Sequence, residues 1–199
     1  MKIYGDTHSG NCYKLKLICA LLGNRHEWIP VDILQGETRS ESFLALNPSG
    51  QIPVCITTDG DVLTESNAIL YYLARDSQYW PKDKLAQTRV LEWQFFEQYS
   101  HEPTIAVARF IKFYQDMPEN RREEYQVKLK AGYRALDLME QHLKDNNFLA
   151  ADYCTIADIS LFAYTHVAHE GGFELSNYPA IQSWIAHIRA LDGFIAMTD

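Results

Sequence analysis

The sequence predicts a small mixed α/β domain followed by an all-helical domain. Three observations carry this. Strand and helix signals alternate through the first 76 or so residues. A strong turn dipeptide, Asp59-Gly60, separates two short apolar runs. Beyond residue 85 helical periodicity continues with no strand alternation. The stretch 77–85, with Pro81 and several polar residues, reads as a connector. The expected division is therefore a sheet domain at 1–76, a linker at 77–85 and a helical domain at 86–199.

Lys2–Gly5 reads as a first strand. Asn11–Leu22 is helical, with Leu15, Ile18 and Leu22 on one face and Lys14 on another, and Gly23-Asn24 stops it. Glu27–Asp32 reads as a second strand, placed at an edge by Pro30, whose missing N–H does least harm there. Glu41–Leu46 is a short helix ended by Asn47-Pro48-Ser49-Gly50. Val54–Thr57 and Val62–Thr64 form the hairpin, and Ser66–Arg75 is helical with Ile69, Leu70 and Leu73 inward. The order β-α-β-α-β-β-α implies a crossover between parallel strands and an antiparallel edge. Ala86–Ala108 or beyond, Glu123–Lys144, Thr155–His169 and Tyr178–Leu191 are the helices of the second domain. Thr155 with Asp158 reads as a capping box and serves folding.

Hydrophobic residues make up 47% and charged residues 22% of the 199, the balance of an ordinary globular chain. The formal net charge is -8, spread over both halves. Neutralising phosphates needs a basic face, so nucleic acid and anionic membrane surfaces are disfavoured as partners. No apolar run is long enough to span a bilayer and no signal peptide is evident, so a cytoplasmic location is expected. Cys12, Cys19, Cys55 and Cys154 have no paired spacing and are expected to be reduced.

Thr7-His8-Ser9-Gly10-Asn11 lies between the first strand and first helix, where free N–H groups and the helix dipole favour an anion. Ser9 and Asn11 add side-chain donors, so a substrate thiolate could be held there. The commoner role for either is a helix cap. Cys12, in the same first turn, is either a thiol of depressed pKa or a small buried residue. Ser49-Gly50-Gln51-Ile52-Pro53-Val54 places proline at the start of a strand. A cis Ile52-Pro53 bond would leave the Val54 backbone available to a peptide-like ligand; a trans turn would not. Glu65 and Ser66 open the third helix and suit an amino-acid head group, or simply cap the helix. His166 and His169 sit one turn apart but lack a third ligand, so no metal is expected.

Together these pieces resemble the cytosolic glutathione S-transferases. The resemblance is carried by Tyr4–Leu22 (YGDTHSGNCYKLKLICALL), Leu46–Val54 (LNPSGQIPV) and Leu63–Ala74 (LTESNAILYYLA), with TIADISLFAY at Thr155–Tyr164 and YPAIQSWIAHIRALDGF at Tyr178–Phe194. It covers nearly the whole chain in the right order and is nearest to bacterial serine-type, theta/nu-like members. It implies a thioredoxin-like domain followed by a helical bundle, usually a homodimer. Ser9 would donate to the glutathione sulfur and Asn11 would assist. Ile52 and Pro53 match the cis-proline segment, and Val54 would pair with the cysteinyl part of the peptide. Glu65 and Ser66 would grip its γ-glutamyl end, with Gln51 and Arg39 as further contacts. Glutathione is then a co-substrate and no permanently bound cofactor is implied. Two features depart from related patterns. Cys12 is not where cysteine classes place their reactive thiol. The Ser-Ser-Cys loop of the maleylacetoacetate isomerases is absent, which disfavours that activity.

The implied reaction is attack of the glutathione thiolate on a hydrophobic electrophile. Glutathione-dependent disulfide reduction and a non-catalytic interaction module are the alternatives. Tyr99, Arg109, Phe110 and Phe113 are candidates to line the electrophile pocket, against a role in the core or in dimer contacts. The short stretch after the last helix suggests an open pocket.

Overall fold

The computed structural model describes residues 1–199. The chain forms two compact units: Met1–Trp80 together with Leu191–Asp199, and Pro81–Ala190. In the first, β1 (Lys2–Gly5), α1 (Gly10–Leu21), β2 (Glu27–Pro30), α2 (Glu41–Leu46), β3 (Val54–Ile56), β4 (Val62–Leu63) and α3 (Ser66–Ala74) follow the expected order. The sheet order is β2-β1-β3-β4, with β1 parallel to β2 and the other pairs antiparallel. Pro30 therefore does lie on an edge strand, opposite Gly5. The strands are shorter than the apolar runs suggest, because β2 ends at Pro30 and the hairpin loop is closed by Thr57, whose N–H donates to Asp61 O at 2.9 Å.

α1 is buried on most sides. Cys12, Tyr13, Leu15, Leu17 and Ile18 are inaccessible, and so is Lys14, which periodicity places on a polar face. Gly5 explains how closely β1 approaches this helix: a Cβ there would come within 2.7 Å of Cys12 Sγ and 2.8 Å of Trp28. On α2, Phe43 packs with Val31, Val54, Tyr4, Leu46 and Ile52, which fixes the segment leading into β3. The tail lies along another face of α1. Tyr13 donates its hydroxyl to Ile195 O (2.7 Å), Lys16 Nζ to Asp199 O (2.6 Å), and Gly193 sits over Ala20. The segment after the last helix thus packs on the sheet unit, a departure from its expected place with the helices.

The second unit holds α4 (Lys84–Phe96), α5 (Glu102–Arg109), α6 (Arg122–Leu143), α7 (Ile156–Thr165) and α8 (Pro179–Arg189). α4 and α5 form one continuous helical stretch interrupted by a π-helical turn at Glu97–His101, with a second at Phe110–Tyr114. Pro103 accounts for the first: it has no N–H for the carbonyl a turn back, so the ladder widens there. Every residue of α7 is buried. Its capping box forms as expected, and Asp158 does more than cap. Its carboxylate accepts Thr155 N–H (2.8 Å) and O–H (3.0 Å), Leu149 N–H (2.9 Å) and Trp184 Nε1–H (3.0 Å). Glu140 on α6 accepts the N–H groups of Ala180 (3.1 Å) and Ile181 (3.0 Å), so one helix caps another.

His166 and His169 do not share a helix. α7 ends at Thr165, His166 is its C-cap, and His169 is exposed in a 3₁₀ turn. The His166 ring stacks on Phe162 (4.5 Å, 8°), with Nδ1 2.8 Å from Phe162 O. Burial pushes its imidazole down to about 4, with Arg189 and Arg109 acting the same way against the Phe162 carbonyl. Between about pH 6.5 and about pH 4 the unfolded chain binds a proton here that the folded chain does not. Stability therefore falls on acidification through that window, by at most about 1.4 kcal/mol per pH unit from this group. Denaturant unfolding at several pH values should show His166→Gln with a flatter acid limb. An unchanged limb would assign the acid sensitivity elsewhere.

Candidate active site

The site is built where α1 and α3 begin. Ser9 is the N-cap of α1, and its Oγ accepts the Cys12 N–H at 3.4 Å. That bond uses a lone pair and leaves the hydroxyl hydrogen for another acceptor, so capping and donating to a sulfur are compatible roles. Asn11 is half-buried on the first turn and accepts the Ser66 hydroxyl at 3.2 Å. The starts of two helices 55 positions apart are thereby joined through side chains carrying donors. Both helices direct the positive end of their dipoles into this corner, which favours anions.

Glu65 precedes α3 with φ 66, a left-handed conformation that costs a non-glycine residue on the order of 1 kcal/mol. Its carbonyl accepts Ile69 N–H at 2.9 Å, but its side chain makes no capping bond and is exposed. The carboxylate is not used by the helix. Ser66 is buried.

The Ile52-Pro53 peptide is cis. Ile52 is half-buried and Pro53 buried. Val54 pairs with Tyr4 of β1, while the β4 ladder covers Cys55 and Ile56 and stops short of Val54. Gln51 is exposed, and its carbonyl is held by Asn47 Nδ2 at 2.8 Å. Asn47 also accepts from Ser49 N–H and Oγ, so it shapes the loop that reads from sequence only as a helix stop. Arg39 donates to Ser49 O at 3.2 Å and lies over Gly50, which has φ 63 and no room for a Cβ under the guanidinium. Arg39, Gln51, Pro53 and Val54 thus belong to one loop-and-strand corner.

One correction concerns a charged group, and at a thiol the structure decides between two readings in favour of the buried one. Arg109 is 2% exposed, bound to Glu170 at 2.6 Å and packed 4.8 Å from the Phe113 ring. It is a core ion pair of the helical unit and offers no surface to an electrophile. Phe110 stacks on Tyr114, Phe113 is half-exposed, and Tyr99, at 89% exposure, lies on the first π turn. None of the four lines the cavity of about 690 Å³ between α4, α6 and the loop before α7. Cys12 is inaccessible, and burial pushes its thiol up to about 12 against the pull of Ser9. It is an unreactive core residue, and all four cysteines are buried and free.

Sequence reading missed Lys14. Its buried Nζ lies 3.2 Å from Ser66 Oγ and 3.3 Å from Asn67 Oδ1. The available signal was a lysine inside a run that is apolar on both sides, Cys12-Tyr13 and Leu15.

Comparison with known proteins fits this arrangement. The profile "Glutathione S-transferase, N-terminal domain" matches residues 8–76, and "Glutathione S-transferase, C-terminal domain" matches 98–192. The crystal structure of a glutathione S-transferase from Pseudomonas fluorescens Pf-5 superposes with TM-score 0.97 at 56% identity, covering 100% of this chain and 98% of that one. Probable glutathione S-transferase GSTF2 of Oryza sativa subsp. japonica is 30% identical over 96% of this chain and 92% of its own length. Maleylacetoacetate isomerase of Rhizobium meliloti (strain 1021) is 28% identical over 96% and 92%. The sheet unit is thioredoxin-like, the helical unit follows it in the expected order, and the chain belongs to the glutathione S-transferase family.

Proposed function

We propose that the protein is a glutathione transferase that joins the glutathione thiolate to hydrophobic electrophiles. The observation that carries this is the Ser66–Asn11 hydrogen bond, which brings the thiol corner and the head-group corner into one site. In this reading the exposed Glu65 carboxylate meets the γ-glutamyl ammonium, and Ser66 with the first N–H groups of α3 meets its carboxylate. The open edge of Val54 pairs with the cysteinyl backbone, while Gln51 and Arg39 flank the glycyl end. That places the sulfur at Ser9 and Asn11. Ser9 O–H, Asn11 and the α1 dipole stabilise the thiolate, which attacks the electrophile as the leaving group departs. The protein contributes orientation and thiol ionisation rather than a nucleophile of its own. Tyr99, Phe110 and Phe113 remain the proposed apolar contacts for the electrophile, in a cytoplasmic homodimer.

Similarity to an isomerase favours a second reading, isomerisation at the same thiolate site. Titration with glutathione decides the shared premise: at 100 times the dissociation constant, stability should rise by about 2.7 kcal/mol. No thermal shift at millimolar glutathione would remove both readings. A panel of aryl halides, a hydroxyethyl disulfide and maleylacetoacetate then separates conjugation, disulfide reduction and isomerisation.

A further inference from the structure

We propose that Asn47 is a positioning residue for glutathione: its side chain fixes the peptide between Gln51 and Ile52, on which the backbone of the bound tripeptide is laid. This rests on the glutathione reading above. In the sequence Asn47 opens Asn47-Pro48-Ser49-Gly50, a helix stop. In the fold it is 5% exposed and its backbone is tied on both sides. Its N–H donates to Phe43 O and its carbonyl accepts the Gly50 N–H, each at 2.9 Å. Phe43 packs with Val31, Val54 and Ile52, so the Asn47 side chain reaches out from a rigid base.

The partners of the amide set its direction. Oδ1 receives two donors, Ser49 N–H at 3.2 Å and Ser49 Oγ at 2.9 Å. The amide has one acceptor end and one donor end, so the nitrogen is left for Gln51 O, to which it donates at 2.8 Å. Ile52-Pro53 is the one cis bond, so the Gln51–Ile52 peptide is trans and its N–H lies on the edge opposite that carbonyl. Holding Gln51 O against Asn47 thus turns the Ile52 N–H away from the loop interior. The Ile52 side chain packs in the cluster around Phe43, so this peptide is pinned from both sides.

In the glutathione reading Gln51 flanks the glycyl end of the ligand and Val54 pairs with its cysteinyl part. Ile52 stands between them. An N–H fixed there meets an acceptor on the tripeptide backbone without the entropic cost of turning a mobile peptide into place. Asn47 is too buried to meet the ligand itself and acts through Gln51 and Ile52.

The test measures binding of glutathione and of S-methylglutathione by titration calorimetry, with kcat at saturating glutathione and the fold checked by circular dichroism. Asn47→Asp is isosteric, keeps both Ser49 bonds and sets an oxygen against Gln51 O. It should weaken both ligands by about tenfold, the worth of one well-placed hydrogen bond. Its kcat should stay within about threefold of wild type, because Ser9 and Asn11 are untouched. Asn47→Ser keeps the turn through its hydroxyl but is too short to reach Gln51, and should weaken both ligands to a similar degree. Equal loss for the two ligands assigns the effect to the tripeptide backbone, since S-methylglutathione has no thiol to ionise. A folded variant that binds either ligand within about twofold of wild type overturns the proposal. Loss of kcat with binding intact, the pattern of a general structural role, overturns it too. If Asn47→Asp does not fold, Asn47→Ser decides; failure of both to fold assigns Asn47 to stability and overturns the proposal as well. Wild type that binds neither ligand defeats the functional reading and this inference together. Wild-type binding beside unmoved variants defeats this inference alone.

Discussion

Ser9→Ala should lower turnover with glutathione by roughly 10²–10³-fold while changing glutathione affinity little. The Ser9 hydroxyl is a side-chain donor at the start of α1, and removing one donor from a developing anion typically costs this much. The ground-state thiol gains little from it, so the loss belongs to kcat rather than to binding. The structure separates this from an effect on folding. The Ser9 cap bond, at 3.4 Å, is at the long end for a hydrogen bond, so its removal should cost only about 0.5–1 kcal/mol. Ser9→Thr keeps both the hydroxyl and the cap and should retain most activity. Steady-state kinetics with saturating electrophile provides the measurement. Unchanged kcat in a folded Ser9→Ala protein would remove the hydroxyl from the mechanism.

Asp158→Ala should be the most damaging single substitution for stability. Its carboxylate satisfies the N–H groups of Leu149 and Thr155, the indole N–H of Trp184 and the Thr155 hydroxyl, all buried. Four buried donors lose their acceptor at roughly 1–3 kcal/mol each, so a loss of about 4 kcal/mol or more is expected. For a chain of this size that is a fall in Tm on the order of 10 °C. Asp158→Asn should recover only part of it. One carboxylate oxygen serves Thr155 and the other serves Leu149 and Trp184, and an amide nitrogen in place of either would confront donors with a donor. Thermal unfolding read at the far-ultraviolet helix signal checks both. A Tm within a few degrees of wild type for Asp158→Ala would show that water or repacking satisfies these groups.

Much of this was legible in the sequence because it is local. Asp59-Gly60 marks the hairpin, Pro30 the edge strand, and Thr155 with Asp158 the start of α7. The candidate site motifs are local too: Ser9 and Asn11 share a turn, as do Glu65 and Ser66. What was not legible depends on partners distant in the chain. Polarity argued that Lys14 faces water, but its acceptors lie 52 and 53 residues away. Arg109 reads equally as a pocket residue or a core or dimer contact until Glu170, 61 residues on, is seen against it. Asn47 looks like a stop signal, and only the folded loop shows it holding Gln51. The π turn at Glu97–His101 leaves the hydrophobic pattern intact and so leaves no mark in periodicity.

The Glu140 carboxylate beneath α8 has a kinetic consequence. The first amides of a helix have no partner in the preceding turn and are normally quick to exchange with solvent deuterium. Those of Ala180 and Ile181 are bonded instead to a side chain of α6. Their protons can exchange only when α6 and α8 part, so they become reporters of a two-helix opening event rather than of fraying. Their exchange rates should track the slow amides in the middle of α6, and in a Glu140→Ala protein they should rejoin the fast class.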